Sequence, residues 1–516
     1  MSELDHFTKE LLDSLFSVEL VSVKPGENEV QLIANALATA KQQNRTGPIV
    51  MLFRALLDLQ ENGISPAAFG LTRELLEELA LKHQAIDEHM VSIGGRVGQA
   101  LSIVKQADSR VEDYLARKDI EAPSGIELWS TLLENQQRIK KGLGMSDEEW
   151  NTFPGQIRHA INSVDQLAAL IDLPQEVALD VLRITKNYRM RLTPYYTSLI
   201  LSGEVNDPIM LQSIPTGEMI DNAGIEIPPV AADHSPARLV DQFYPRVVTI
   251  KSTNMCAMYC THCLRIAHIG KKDKMFSKEA YGEALDYIRS DRRIRDVLIT
   301  GGDAFVLPNT MIKWLLEQLD AIDHVKLKRL GTRVPVTVPM RIDNELLDIL
   351  EESNGKKPVR VVTQINTARE VTPISKEAFK NISSRVSAVL NQAVLLRGIN
   401  DSRVKMWKLC ETIQEAYVRP YYLFNCSYRN PQFSHFRVPV EHGRDIVESM
   451  YGNISGDAIP RYIATAGGKI PMHRSNVIGR EGNELILRKP WNGEEVKYPD
   501  VQQEDYKNGN FSFAKY

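Results

Sequence analysis

Cysteine is scarce in this chain. Five occur in 516 residues, an odd number with three of them clustered, which excludes a disulfide framework. No charge of one sign dominates: 62 Lys and Arg face 66 Asp and Glu, for a net charge of -4. A nucleic-acid or anionic-membrane partner is therefore not expected. No uninterrupted apolar run approaches the roughly 18 residues of a membrane span. The start, Met1-Ser-Glu-Leu-Asp-His, lacks a basic stretch followed by an apolar one, so no secretory leader is expected. These absences fit a cytoplasmic protein with reduced thiols. Hydrophobic residues at 43% and charged ones at 25% are ordinary for a globular chain. The length allows two or three domains.

The few cysteines are unevenly placed. Three fall in Cys256-Ala-Met-Tyr-Cys260-Thr-His262-Cys263, and only Cys410 and Cys426 lie elsewhere. Thiolates at this spacing can converge on one soft metal centre. A structural zinc closes with four protein ligands, so three cysteines leave a coordination position open for a substrate or cofactor. The alternative, three buried free thiols, gives no reason for the spacing.

Residues 1–145 read as a helical N-terminal extension of unknown role. Leu32, Ile33, Leu37, Val50, Met51, Phe53, Leu56 and Leu57, and later Leu75, Leu76, Leu79, Ile86 and Met90, recur at helical spacing, the pattern of core stripes. Ser65-Pro66 suits a helix start. Gly94-Gly95-Arg96-Val97-Gly98 follows helix rather than strand and is not read as a phosphate loop. Ala122-Pro123-Ser124-Gly125 reads as a linker. Residues 146–240 form a helical lead-in. From 241 the pattern alternates. Strands are expected at Val247–Ile250, Val297–Thr300, Val325–Leu330, Val359–Gln364, within Val386–Leu396, and at Arg419–Phe424. Helices are expected from Ser277 to Ile288, around Met311–Ile322, and at Glu345–Leu350, Val404–Ala416 and Ile446–Tyr451. Such alternation predicts an α/β fold with a parallel sheet and crossover helices, here a partial (β/α)6 barrel over 241–475. Barrel chemistry sits at the C-terminal ends of strands. The cysteine loop and Gly301-Gly302-Asp303 both fall there. Residues 476–516 form a hairpin and tail, with strands at 484–490 and 495–499 around an Asn492-Gly493 turn.

The cysteine loop resembles the radical S-adenosylmethionine (SAM) signature. Met255 to Arg265 resembles more closely the cluster loop of the lysine 2,3-aminomutases. The likeness covers residues 150–500, through Leu192-Thr193-Pro194-Tyr195-Tyr196 and Asn206-Asp207-Pro208-Ile209. It implies a radical SAM barrel, a [4Fe–4S] cluster on Cys256, Cys260 and Cys263, SAM on the remaining iron, and pyridoxal 5′-phosphate (PLP). Gly301, Gly302 and Asp303 would lie beside the methionine amino group of SAM, and His262 near its adenine. Lys469, ending Thr465-Ala466-Gly467-Gly468-Lys469, would be the PLP lysine. Arg246 would contact the PLP phosphate. Arg265 would hold the substrate α-carboxylate, for which a guanidinium fork is suited. Asp401, in Leu395-Leu396-Arg397-Gly398-Ile399-Asn400-Asp401, would meet a distal ammonium.

The chain departs from the family pattern at several points. Phe243 replaces the first arginine of an Arg-Tyr-Pro-Asp-Arg stretch. The glycine loop is short. Thr465 stands where a second aspartate lies, and Gln364 where lysine-specific members carry histidine. The resemblance implies an isomerase that moves an α-amino group from C2 to C3 of an amino acid, with lysine the leading candidate. Arginine, ornithine, glutamate, a neutral amino acid, or a lysine within a partner protein remain open. A non-catalytic iron–sulfur regulatory or scaffold protein is the alternative of another class. A flavodoxin- or ferredoxin-type electron donor and a homo-oligomer are expected.

Overall fold

The computed structural model describes Leu56, residues 110–502 and Tyr506, apart from 174, 187, 205, 224–234, 271 and 275. The chain divides into two compact units, Met1–Ser109 and Arg110–Tyr516. The expected stripes and glycine run between 32 and 98 lie outside the described residues, except Leu56. Nothing below concerns the first unit.

Nine strands form one sheet in strict sequence order: β1 (Val240–Tyr244), β2 (Val247–Thr253), β3 (Asp296–Gly301), β4 (Leu327–Gly331), β5 (Val359–Thr363), β6 (Ala388–Leu395), β7 (Arg419–Asn425), β8 (Arg461–Thr465) and β9 (Lys469–Pro471). β2 through β8 pair in parallel. β1 and β9 are antiparallel edges. The six expected strands are all present, and Arg461–Thr465 adds a seventh parallel one. The sheet curls so far that its two edges meet: the Lys469 N–H of β9 donates to the Tyr244 hydroxyl of β1 at 2.9 Å. The result is the partial barrel that the alternation predicts.

The crossover helices begin where short polar side chains can cap them. Ser277 accepts from the Ala280 N–H to start Lys278–Ser290, Asp343 from Leu346 to start Asn344–Lys356, and Ser402 from Lys405 to start Arg403–Glu415. Their apolar faces cover the outer face of the sheet, where Val297, Ile299, Leu330, Val361 and Leu423 are buried. The last helix runs over Val440–Glu448 rather than the expected Ile446–Tyr451, because it starts directly after Pro439.

Residues 110–145 pack on this core. Tyr114 stacks on Trp407 at 4.2 Å, and Lys408 pairs with Asp119 at 2.7 Å. Ala122-Pro123-Ser124-Gly125 is a seated break between helices rather than a free linker. Ser124 is buried, and Gly125 N–H donates to the Ala368 carbonyl at 3.3 Å.

The lead-in builds a second core. Asp207 caps Pro208–Ser213 and is tied to Arg369 at 2.8 Å. Leu192, Tyr195, Tyr196, Leu211 and Ile214 bury together with Val394, Leu396 and Met258. Met258 belongs to the cysteine loop, so the lead-in packs directly against that loop. The tail forms a three-stranded sheet, β10 (Val477–Glu481), β11 (Glu484–Arg488) and β12 (Glu495–Pro499), one strand more than the expected hairpin. Gly493 takes φ +74 at the expected turn. Among the described residues no helix is long and apolar enough to cross a membrane.

Candidate active site

The cysteine loop leaves the C-terminal end of β2 and is held by backbone and side-chain bonds, Arg191 Nη1 donating to the Cys256 carbonyl at 3.2 Å and Thr261 Oγ1 to the Leu211 carbonyl at 2.7 Å. Tyr259 N–H donates to the Arg191 carbonyl at 3.2 Å, and Thr261 N–H to the Gln212 carbonyl at 2.9 Å. Asp303 N–H donates to the Met255 carbonyl at 2.8 Å, and Gly302 N–H to the Thr253 carbonyl at 2.5 Å. The Gly301-Gly302 pair thus lets two main chains touch. A Cβ on Gly302 would overlap the Met255 backbone, and Gly301 sits at φ +125, a region that glycine alone enters easily. The Asp303 carboxylate is shared between main-chain donors, Phe305 N–H at 2.9 Å and Arg333 N–H at 2.6 Å. Burial pushes its carboxyl upward.

All five cysteines are free thiols. Burial raises Cys256 well above the usual thiol range and Cys263 to about 12, and the neighbouring loop sulfurs add to both shifts. Three half-buried sulfurs on one loop suit a cationic iron–sulfur core that would bind them as thiolates. Among the described residues no three His, Cys, Asp or Glu side chains gather tightly enough for a single ion. A cluster spreads its thiolates over several irons, so the donor set fits a cluster. Arg265 lies half-buried on the same loop, its Nη1 3.5 Å from the Gly301 carbonyl. His262 is 3% exposed. The amides of Gln364 and Asn366 donate to its Nε2 at 3.2 and 3.3 Å. The ring proton therefore sits on Nδ1, a buried atom with no partner among the described residues.

Sequence reasoning passed over Arg333. It follows β4 and stands at the centre of a buried network. Its guanidinium donates to Cys260 Sγ at 2.8 Å, Gln212 Oε1 at 2.5 Å, Glu370 Oε1 at 2.6 Å and the Gln364 carbonyl at 3.1 Å. The available signal was positional: Thr332-Arg333 leaves a barrel strand at its C-terminal end, as Gly-Gly-Asp does.

A second group lies across the sheet. Cross-strand partners share a face, and the register Val394↔Phe424↔Ile463 with Thr465↔Lys469 puts Phe424, Thr465 and Lys469 on the inner face. The Lys469 amine lies 4.7 Å from the Tyr422 ring centre and 5.6 Å from that of Phe424. Burial, aided by Arg329, lowers it from 10.5 to about 8. Gly467 and Gly468, at φ +67 and +143, make the tight turn that brings Lys469 back opposite Thr465. An amine held this near neutrality fits a carbonyl cofactor. Arg246 is exposed just before β2, at the end of that strand away from the cysteine loop and two residues after Tyr244, whose hydroxyl accepts from the Lys469 N–H. Asp401 is engaged from two sides: the Tyr506 hydroxyl of the tail donates to its carboxylate at 2.7 Å, and His442 Nε2 of the Val440–Glu448 helix to its carbonyl at 2.8 Å.

Residues 250–407 match the family model of the radical SAM superfamily. The chain is 35% identical to glutamate 2,3-aminomutase of Clostridioides difficile (strain 630) over 79% of its own length and 96% of that protein. It is 36% identical to L-lysine 2,3-aminomutase of Clostridium subterminale over 67% of its length and 83% of the relative. L-lysine 2,3-aminomutase of Bacillus subtilis (strain 168) is 33% identical over 72% and 79%. These relatives are isomerases, and a radical SAM domain implies a [4Fe–4S] cluster and SAM.

Proposed function

Because this chain belongs to the family of radical SAM 2,3-aminomutases, we propose that it moves the α-amino group of a free amino acid from C2 to C3, with PLP as second cofactor and lysine as leading substrate. The observation that carries the reading is the pairing of a half-buried three-thiol loop at one strand end with a lysine of lowered pKa on the inner face of the same curled sheet. When bound, the cluster with SAM supplies the radical and PLP the carbonyl and π-system.

The chain's own residues bind and orient. Cys256, Cys260 and Cys263 would hold three irons. The Gly301-Gly302-Asp303 turn and His262 would border SAM. Lys469 would tether PLP, with Arg246 near its phosphate. Arg265 would fork onto the substrate α-carboxylate. Asp401 would reach a distal ammonium, with Thr465 beside it. The lead-in core packs against the cysteine loop through Met258 and would help to keep water from it. A low-potential flavodoxin- or ferredoxin-type donor, a cytoplasmic setting and a homo-oligomer complete the proposal.

One observation favours a second substrate. The Asp401 carboxylate is already hydrogen-bonded to Tyr506, and Thr465 brings no charge. A substrate without a distal cation, such as glutamate, needs neither. The test is anaerobic. The protein is reconstituted with iron, sulfide and PLP, given SAM and a strong reductant, and incubated separately with lysine, arginine, ornithine, glutamate and alanine. A β-amino acid from lysine supports the first reading, and one from glutamate the second. 5′-Deoxyadenosine without any isomer would end the small-molecule assignment for these substrates.

A further inference from the structure

Arg333 is only 7% exposed and Glu370 is fully buried. A buried guanidinium needs both a counter-charge and filled donors. Glu370 provides the charge at 2.6 Å. Glu370 is fixed in turn: its Oε1 accepts from the Tyr196 hydroxyl at 3.0 Å, and its Oε2 from the Asn366 N–H at 2.8 Å. Gln212 Oε1 and the Gln364 carbonyl fill further donors. Gln212 also bridges to Asn366 at 2.9 Å. One donor, Nη1, is left to point at a thiol, Cys260 Sγ at 2.8 Å. The partners come from the lead-in, the cysteine loop and the loops after β4 and β5. Only the folded chain brings them together.

We propose that Arg333 sets the reduction potential of the centre held by Cys260, with Glu370 as the residue that positions it. The inference rests on the reading that Cys260 is an iron ligand. Potentials of such clusters depend on hydrogen bonds to the ligating sulfurs and on local charge. Reduction adds one electron to the cluster, taken from a low-potential flavin or iron–sulfur donor, and no proton moves in that step. The added negative charge strengthens the N–H···S bond from Arg333. Glu370 lies on another edge of the guanidinium. The pair is therefore neutral at long range but presents its positive end to the sulfur. Arg333 thus stabilises the reduced form more than the oxidised form and raises the midpoint potential.

The test uses the full chain. Arg333→Gln, Arg333→Lys and the double variant Arg333→Gln/Glu370→Gln are reconstituted anaerobically beside the parent. Iron and sulfide per chain are counted first. The cluster is then titrated with a graded chemical reductant and followed by electron paramagnetic resonance. At the parent's midpoint, the reduced-to-oxidised ratio is expected to fall at least tenfold in the glutamine variants, about 59 mV for one electron, with Arg333→Lys between. The double variant leaves no buried charge unpaired, so it covers the case in which Arg333→Gln does not fold. Fully loaded variants with the ratio unchanged within twofold would overturn the role of Arg333. Failure of every variant to load, beside a loaded parent, would make Arg333 a folding residue and also overturn it. A parent with no cluster would end the reading of Cys260 itself, a separate result seen before any titration.

Discussion

Lys469→Met removes an ammonium that the fold holds against its preference. Burial takes this amine from 10.5 to about 8. At roughly 1.36 kcal/mol for each tenfold change in proton affinity, that difference amounts to about 3 kcal/mol. The folded value is the lower one, so the unfolded chain holds the proton more tightly. Below pH 8 both states are protonated and the folded state carries the whole cost. Between pH 8 and 10.5 the folded lysine sheds its proton first, and stability rises with pH. Above 10.5 the cost is gone. Methionine keeps the chain length and can pack its sulfur on Tyr422 and Phe424. Protein prepared without PLP is therefore expected to be more stable as Lys469→Met at pH 7, by up to about 3 kcal/mol, with the gap narrowing to about 1.4 kcal/mol at pH 9.5. Urea denaturation at the two pH values reads both numbers. A second readout is direct. At pH 7 about one amine in ten is neutral, against about one in 3,000 for an unshifted lysine. Trace acetylation followed by peptide mass spectrometry should show half-maximal labelling of Lys469 near pH 8. A midpoint above 10, a less stable variant at pH 7, or a gap that ignores pH would refute the reasoning.

Serine at Cys256, Cys260 or Cys263 is expected to cut reconstituted iron to well under half of the parent's. Cys410→Ser, in a buried helix of the main core, should leave loading intact; equal loading in all four would sink the ligand assignment. Gly302→Ala forces a methyl group into the Met255 backbone and should cost about 1–3 kcal/mol in urea denaturation, as overpacking does. An unchanged midpoint would mean that the two main chains do not touch. Tyr506→Phe deletes the bond to Asp401, worth about 1 kcal/mol, and should speed carboxypeptidase trimming of the C-terminus. Identical trimming rates would argue that the tail is not latched there.

The barrel was legible because its signals are local. Val297–Thr300 and Val359–Gln364 are short β-branched runs, and Ser277 and Thr193-Pro194 announce helices within three residues. β8 was harder to see. Arg461 and Thr465 at its ends are exposed, and its short apolar middle reads as part of the glycine loop that follows. The seventh parallel strand and the turn are one hairpin, which only the register reveals. β1 was missed for a similar reason: Val240-Asp-Gln-Phe-Tyr lies at an edge, with only Val240 buried. Arg333 had no local signal beyond its strand end. Its partners Tyr196, Gln212 and Cys260 lie 137, 121 and 73 residues away, a separation that no periodicity encodes.

The two parts of the site are held by different means, and that difference bears on specificity. The cysteine loop rests in part on backbone bonds to Arg191, Gln212 and Asp303, with side-chain bonds beside them. The backbone bonds are indifferent to most side-chain changes at those positions, glycine excepted. A chain can therefore drift to about 35% identity with its relatives and keep the loop in place. The side chains of Asp401 and Thr465 take no part in those bonds. One sits in a loop pinned by a tail side chain, the other at the mouth of a two-glycine turn. Changing either costs the frame little, because neither belongs to the cores that hold the sheet and the lead-in. Substrate choice is thus free to diverge where the frame is not. A glutamate-acting and a lysine-acting relative can then resemble this chain equally well, and sequence identity cannot rank the two substrates. On the proposed reading the ranking would fall to the side chains around Lys469 and Asp401, where Tyr506 already occupies part of the carboxylate that a lysine would need.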